Sequence, residues 1–252
     1  MMASEIPVVK RNALTYIKYK DDHLSQIQEK TRKGIQSTGS VYTYTRGVLL
    51  PEVKRQLEKL VKNGEIIHVL DAGAGMGHAL KDAESLDPLV RAHGLALNSP
   101  RKGLGIHPEN WTRGHFETTL FPSRFHIIQC RYGMQHAVNY SVALENLLNS
   151  LRPGGMLFVH DGHFARNAII GHLPEYEKRE LLKTLEKQGF SYEHRRTDDY
   201  EDLDIFKRRK SGRIADLSEF YESNTVNMYP VRKESPKISP SEIKKRTPKL
   251  KA

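Results

Sequence analysis

The stretch VLDAGAGMGHAL, Val69 to Leu80, limits this chain most. An apolar run meets an acid, Asp71, and glycine then occupies positions 73, 75 and 77. A short apolar run that ends in clustered glycines reads as a buried strand entering a sharp turn. Glycine supplies positive φ and lets another group approach the main chain where a Cβ would stand. Such a turn at the carboxyl end of a strand is the usual binding place of an open α/β sheet.

The rest of the chain repeats the alternation that such a sheet needs. Pro51 suits a first helical turn, Val53, Leu57, Leu60 and Val61 share a helical face, and Gly64 suits the cap. The pattern predicts strands at Ile66–Leu70, Arg91–Leu97, Trp111–Arg113, Phe125–Cys130 and Met156–His160. Helices are predicted from the glycine loop to about Ser85, through Leu144, Leu147, Leu148 and Leu151 up to Pro153-Gly154-Gly155, and between Pro174 and Gly189. Phe190–Arg195 and Leu203–Arg208 are separated only by an acidic turn, which suits antiparallel neighbours at one edge. The expected fold is therefore α/β, a three-layer sandwich around a mostly parallel seven-stranded sheet with an antiparallel edge hairpin. Residues 1–47 read as a helical and loop lead-in or lid, 48–210 as the body, and 211–252 as a basic, largely disordered tail with a short helix around Asp216–Glu222.

Three readings compete for the loop. A P-loop needs Lys-Ser/Thr after its last glycine, and none follows here. The dinucleotide fingerprint G-x-G-x-x-G/A meets His78 or Leu80 at its final place, according to where it starts. Acid-x-Gly-x-Gly-x-Gly fits: Asp71, Gly73, Gly75, Gly77. In this form the sequence resembles the class I S-adenosylmethionine-dependent methyltransferases, over about Val48 to Arg208. LRPGGMLFV, Leu151 to Val159, is a second match, to the helix-turn-strand that leads to the fifth strand of that family.

The resemblance implies S-adenosyl-L-methionine as cofactor, with the backbone of Gly73, Gly75 and Gly77 against its methionine part and Asp71 acting near its ammonium. That cofactor is a sulfonium with an amino-acid tail, so no phosphate grip is needed. Asn98 stands where the family holds the ribose hydroxyls with an acid, and it brings an amide oxygen without charge. The segment Ser99–Asn110 is too rich in Gly and Pro for the usual helix. In GHFE, Gly114 to Glu117, His115 replaces the acid that meets the adenine amino group, and Phe116 is placed to flank the ring. Cys130 and Arg131 follow the fourth strand as cofactor contacts through backbone and side chain. Tyr132 and His136 are the substrate-side candidates, with His136 as base. Tyr42, Tyr44 and Arg46 precede the body where relatives close over the cofactor. HDGH, His160 to His163, lacks the ligand spacing of a metal site, so no metal is expected.

Composition bears on partners. The formal charge is +10, and Val231–Ala252 carries +6 of it, leaving +4 on the preceding residues. That excess favours anionic partners. The segment after the fourth strand, CRYGMQHAV, resembles the one that passes beside the methyl group in small-molecule methyltransferases, which implies a small-molecule acceptor; the tail favours RNA or an acidic protein as the alternative. Cys130 is the single cysteine, and neither a signal-like apolar region nor a membrane span is present in the sequence, so a soluble, cytoplasmic protein is expected. Asn98 and His115 motivate a rival reading, in which the fold is kept for interaction or cofactor sensing without catalysis.

Overall fold

The computed structural model describes residues 9–10, 49–97, 99–131, 133–134, 137, 140–161, 175–196 and 202–220. Seven strands form one sheet: β1 Ile67–Ala72, β2 Val90–Ala96, β3 Trp111–Arg113, β4 Phe125–Arg131, β5 Leu151–Asp161, β6 Phe190–Arg196 and β7 Asp202–Arg208. Their spatial order is β3-β2-β1-β4-β5-β7-β6. The first five run parallel, and β7 lies antiparallel between β5 and β6. A separate two-residue ladder joins Val9–Lys10 to Thr119–Leu120.

Helices cover both faces, so the strands bury side chains on both sides. α1 Pro51–Leu60 and α2 His78–Leu86 lie on the face that receives Ile67, Val69, Val90, Ala92, Ile127 and Phe158. α3 Tyr140–Ser150 and α4 Glu175–Lys187 lie on the other, against Leu70, Leu95, Ile128, Leu157 and Phe206. Beyond β7 the chain stays on the body. Ala215, Leu217 and Phe220 are buried, and Asn149 Oδ1 accepts from the Ala215 amide at 2.7 Å.

Several local details differ from the sequence expectation. β1 starts one residue later, leaving Ile66 half exposed, and continues through Asp71 to Ala72. After β2, by contrast, the Gly- and Pro-rich segment is as expected: only a 3-10 turn at Pro108–Asn110, and no full helix, is found among the described residues there. Pro153-Gly154-Gly155 does not stand outside the strand but is absorbed into β5, where the pairing with β4 shifts between Phe125 and Ile127. A Cβ at Gly155 would meet the Phe125 carbonyl at 2.8 Å, so glycine is what lets the bulge lie against β4. His160 and its neighbour Val159 are both buried, because each face of β5 is covered.

Candidate active site at the glycine loop

The loop after β1 is fixed to β2 by two amides that share one carbonyl. Gly73 and Ala74 both donate to the Leu95 oxygen, at 2.8 and 3.1 Å. Gly77 donates to Ala74 at 2.8 Å and closes the turn into α2. Gly73, Gly75 and Gly77 take φ of +85°, +54° and +93°, which side-chain-bearing residues rarely adopt. Their surroundings divide them. Gly73 and Gly75 are exposed, and a Cβ at Gly75 would find nothing nearer than the Gly73 oxygen at 4.0 Å. Gly77 is buried: a Cβ there would stand 2.3 Å from Ile106 Cδ1 and 3.1 Å from Trp111. Bare backbone thus serves open space at Gly75 and close packing at Gly77. At Gly73 a Cβ would come 3.3 Å from Gly133 Cα, which puts the chain after β4 beside the loop.

Behind the loop sits the acid. Asp71 points to the α1–α2 face and is 8% exposed; Gln129 Nε2 donates to its Oδ1 at 3.3 Å. Burial raises its pKa from 3.8 to about 6, against the opposing pull of the Gln129 hydrogen bond and the charge of Arg131. Gln129 Oε1 accepts from the Leu50 amide at 2.8 Å, so one buried amide ties the entrance of α1 to the acid. Arg131 shares the face of Gln129, being two residues further along β4. The site therefore holds a carboxylate that is costly to ionise until a cation approaches it.

His115 and Phe116 follow β3 on the other side of the glycine loop. His115 is 4% exposed, and its Nδ1 lies 3.0 Å from Glu117 Oε2. The Glu117 amide is farther from that nitrogen, at 3.4 Å. The shorter contact puts the proton on Nδ1 and leaves Nε2 an acceptor, and this Nε2 has no hydrogen-bond partner among the described residues. Phe116 packs on the imidazole with centroids 4.0 Å apart and joins the α3–α4 core. Asn146 Nδ2 fixes the segment by donating to the carbonyls of Phe116 and Glu117, at 2.9 and 2.8 Å. Cys130 is fully buried with its sulfur towards Gly133, where a Cβ would meet it at 2.7 Å. Its side chain is committed to the core, which leaves the backbone as its route to a ligand.

Asp71, Gly73, Gly75, Gly77, Gln129, Arg131 and the Gly133 turn thus gather at the carboxyl ends of β1 and β4. His115 and Phe116 reach the same turn through the Phe116 ring, 3.6 Å from the Cβ position of Gly133. Asn98, Tyr132, His136, Tyr42, Tyr44, Arg46 and His163 lie outside the described residues. Gln129 carries no motif of its own and only its place beside Asp71 reveals it; Glu117 closes the GHFE segment, and its contact with His115 gives it a role. The segment from Ser99 to His107 lies over α2's entrance, with the Arg101 amide donating to Met76 oxygen at 3.0 Å.

No protein-family model and no curated protein matches the chain. Similar solved structures include the Burkholderia thailandensis 1,6-didemethyltoxoflavin-N1-methyltransferase, with bound 1,6-didemethyltoxoflavin and S-adenosylhomocysteine (17% identity, TM-score 0.46, 83% of this chain and 98% of that one). The citrinin polyketide synthase CMeT domain (20%, 0.46, 63% and 51%) and the antibiotic-resistance methyltransferase Kmr (16%, 0.44, 62% and 93%) are also similar. The fold assignment rests on the strand order itself.

Proposed function

We propose that this chain binds S-adenosyl-L-methionine at the glycine loop and transfers its methyl group to an acceptor. The carrying observation is the pairing of exposed, side-chain-free backbone at Gly73 and Gly75 with the buried acid Asp71 behind it. A cationic amino-acid ligand matches both parts: it needs close backbone approach, and its ammonium offsets the cost of ionising Asp71. A phosphate would be repelled by that acid.

In this reading Gly73 and Gly75 seat the methionine part, while Gly77 holds the loop in shape through Ile106 and Trp111. Asn98 holds the ribose. His115 Nε2 accepts from the adenine amino group in place of the family's acid, oriented by Glu117, and Phe116 supports the imidazole beneath the ring. The Cys130 backbone and Arg131 border the sulfur side, with Tyr132 and His136 facing the acceptor. When bound, the cofactor supplies an electrophilic methyl on sulfur. The chain's own part is to orient it, exclude water and, through His136, take a proton from an acceptor that must lose one. A small molecule is the favoured acceptor, on the pattern of the segment after β4.

The test uses the full chain with methyl-labelled S-adenosylmethionine and cell lysate split into protein, RNA and small-molecule fractions. Label entering the small-molecule fraction supports this reading. Cofactor binding without label in any fraction would instead favour a sensor or interaction role.

A further inference from the structure

The amino-terminal end of the sheet, opposite the glycine loop, carries arginines that make no ion pair among the described residues. His68 in β1 stands in register with Arg91 in β2, and the next strand brings His126 beside it. The two imidazoles stack at 6.1 Å, 18° from parallel. Arg152 of β5 reaches His126 Nε2, so Arg91, His68, His126 and Arg152 form a row across four adjacent strands. At about 4.8 Å per strand that row is roughly 14 Å wide. Arg124 stands just before β4, and its charge acts on both His68 and His93. The end of β7 adds Lys207, Arg209 and Lys210, all exposed, and Lys210 packs over Gly154 beside Arg152.

Two features separate this row from an ordinary solvated basic surface. Arg91, Arg124 and Arg152 make no ion pair with a carboxylate among the described residues, whereas Arg55, Lys81 and Lys183 elsewhere each have one. Arg91 donates to the carbonyls of Pro88 and Val90, but around His126 the row has more hydrogen-bond donors than acceptors. His126 Nδ1 already accepts from the His68 amide at 3.0 Å, and a neutral imidazole has one acceptor nitrogen, yet the Arg152 guanidinium meets its Nε2. Arg124 Nε is buried with no hydrogen-bond partner among the described residues. Burial and the neighbouring arginines lower the pKa of both imidazoles, that of His126 to about 4, so the fixed charge is guanidinium. Surplus donors and unanswered charge are what anionic oxygens complete.

We propose that this row is a docking surface for the phosphodiester backbone of a single-stranded nucleic acid. A single phosphate would engage one end of it, whereas a strand of phosphates spans its width and continues along Lys207–Lys210. The row runs across strand ends and presents charge without a reading element, which suits backbone contact without base reading.

The experiment measures fluorescence anisotropy of labelled oligo(rU) with the full chain across a salt series. Inorganic pyrophosphate and phosphatidylserine vesicles serve as parallel probes. Arg124→Ala/Arg152→Ala should weaken oligo(rU) binding by about tenfold or more and lower the salt slope by about one to two, at roughly 0.7 per phosphate lost. S-adenosylmethionine titration of the same variant should be unchanged, which separates this proposal from the one at the glycine loop. Should that variant fail to fold, Arg91→Ala/Lys210→Ala removes exposed charge only and should weaken oligo(rU) about threefold to tenfold. Unchanged affinity and slope in the variants overturn the proposal. So does a loss confined to pyrophosphate, which would make this a small-anion site, or one confined to vesicles, which would make it a membrane contact.

Discussion

The two ends of one sheet have been given opposite chemistry. At the carboxyl end, β1 and β4 present exposed glycine backbone, a buried acid and one arginine whose charge acts on it. At the amino end, the same two strands present histidines held neutral among arginines that have no carboxylate partner among the described residues. A residue's direction along β1 decides its role: Asp71 and His68 lie three positions apart and face opposite sides. The lesson is that net charge is a poor guide to where a chain binds what. The overall excess of +10 says nothing of a site built around an acid.

The contrast breaks most easily at Gly75. Gly75→Val should weaken S-adenosylmethionine by more than about a hundredfold in calorimetry, because its branches fill the ligand space. The left-handed backbone adds a stability cost of only about 1–2 kcal/mol. Gly77→Ala should do the reverse. Its Cβ meets Ile106 and Trp111, so thermal unfolding should show a loss of about 1–3 kcal/mol, partly restored by Ile106→Ala. Equal effects of the two substitutions on binding would show that the loop acts as one packed unit.

Asp71→Asn should weaken the cofactor by about tenfold at pH 7.5, the loss of one charge-assisted contact. Its pH dependence carries the sharper test. The folded chain holds the Asp71 proton to about pH 6 and the unfolded chain only to about 3.8. The native state therefore binds more protons between these values, and stability of the ligand-free chain falls as pH rises through them, by roughly 3 kcal/mol in all. Cofactor affinity should move the other way, falling below pH 6 as the acid protonates. In Asp71→Asn both profiles should flatten.

The smallest expected effect belongs to His115. His115→Ala should cost about threefold to tenfold in cofactor affinity, since a neutral acceptor replaces what the family does with charge. Glu117→Gln should give a similar loss by releasing the imidazole tautomer; no change in either would remove the adenine contact.

The strand-helix alternation was legible because each element carries a local period, and α1 and α2 lie close to where their apolar faces and glycines put them. The strand insertion was not. The acidic turn joins β6 and β7 in the expected antiparallel edge hairpin, but which of the two strands meets β5 depends on pairing between segments with no distinguishing pattern. The PGG segment reads as a stop because proline and glycine end helices, and the bulge that keeps it in β5 is visible only against Phe125 and His126. At the site, Asp71 and the glycines announce themselves by spacing. Gln129 cannot, since its partners Leu50 and Asp71 lie 79 and 58 residues away in sequence. Gly77 carries the loop's signature but is claimed by Trp111 and Ile106, a packing reason that a motif cannot tell from a binding one.

Isothermal titration of the full chain with S-adenosylmethionine and S-adenosylhomocysteine, near pH 7.5, tests the central claim most directly. The account predicts one site per chain for both, with a dissociation constant below about 100 μM, or at least 5 kcal/mol of binding free energy. No heat from either compound at millimolar concentration would contradict it.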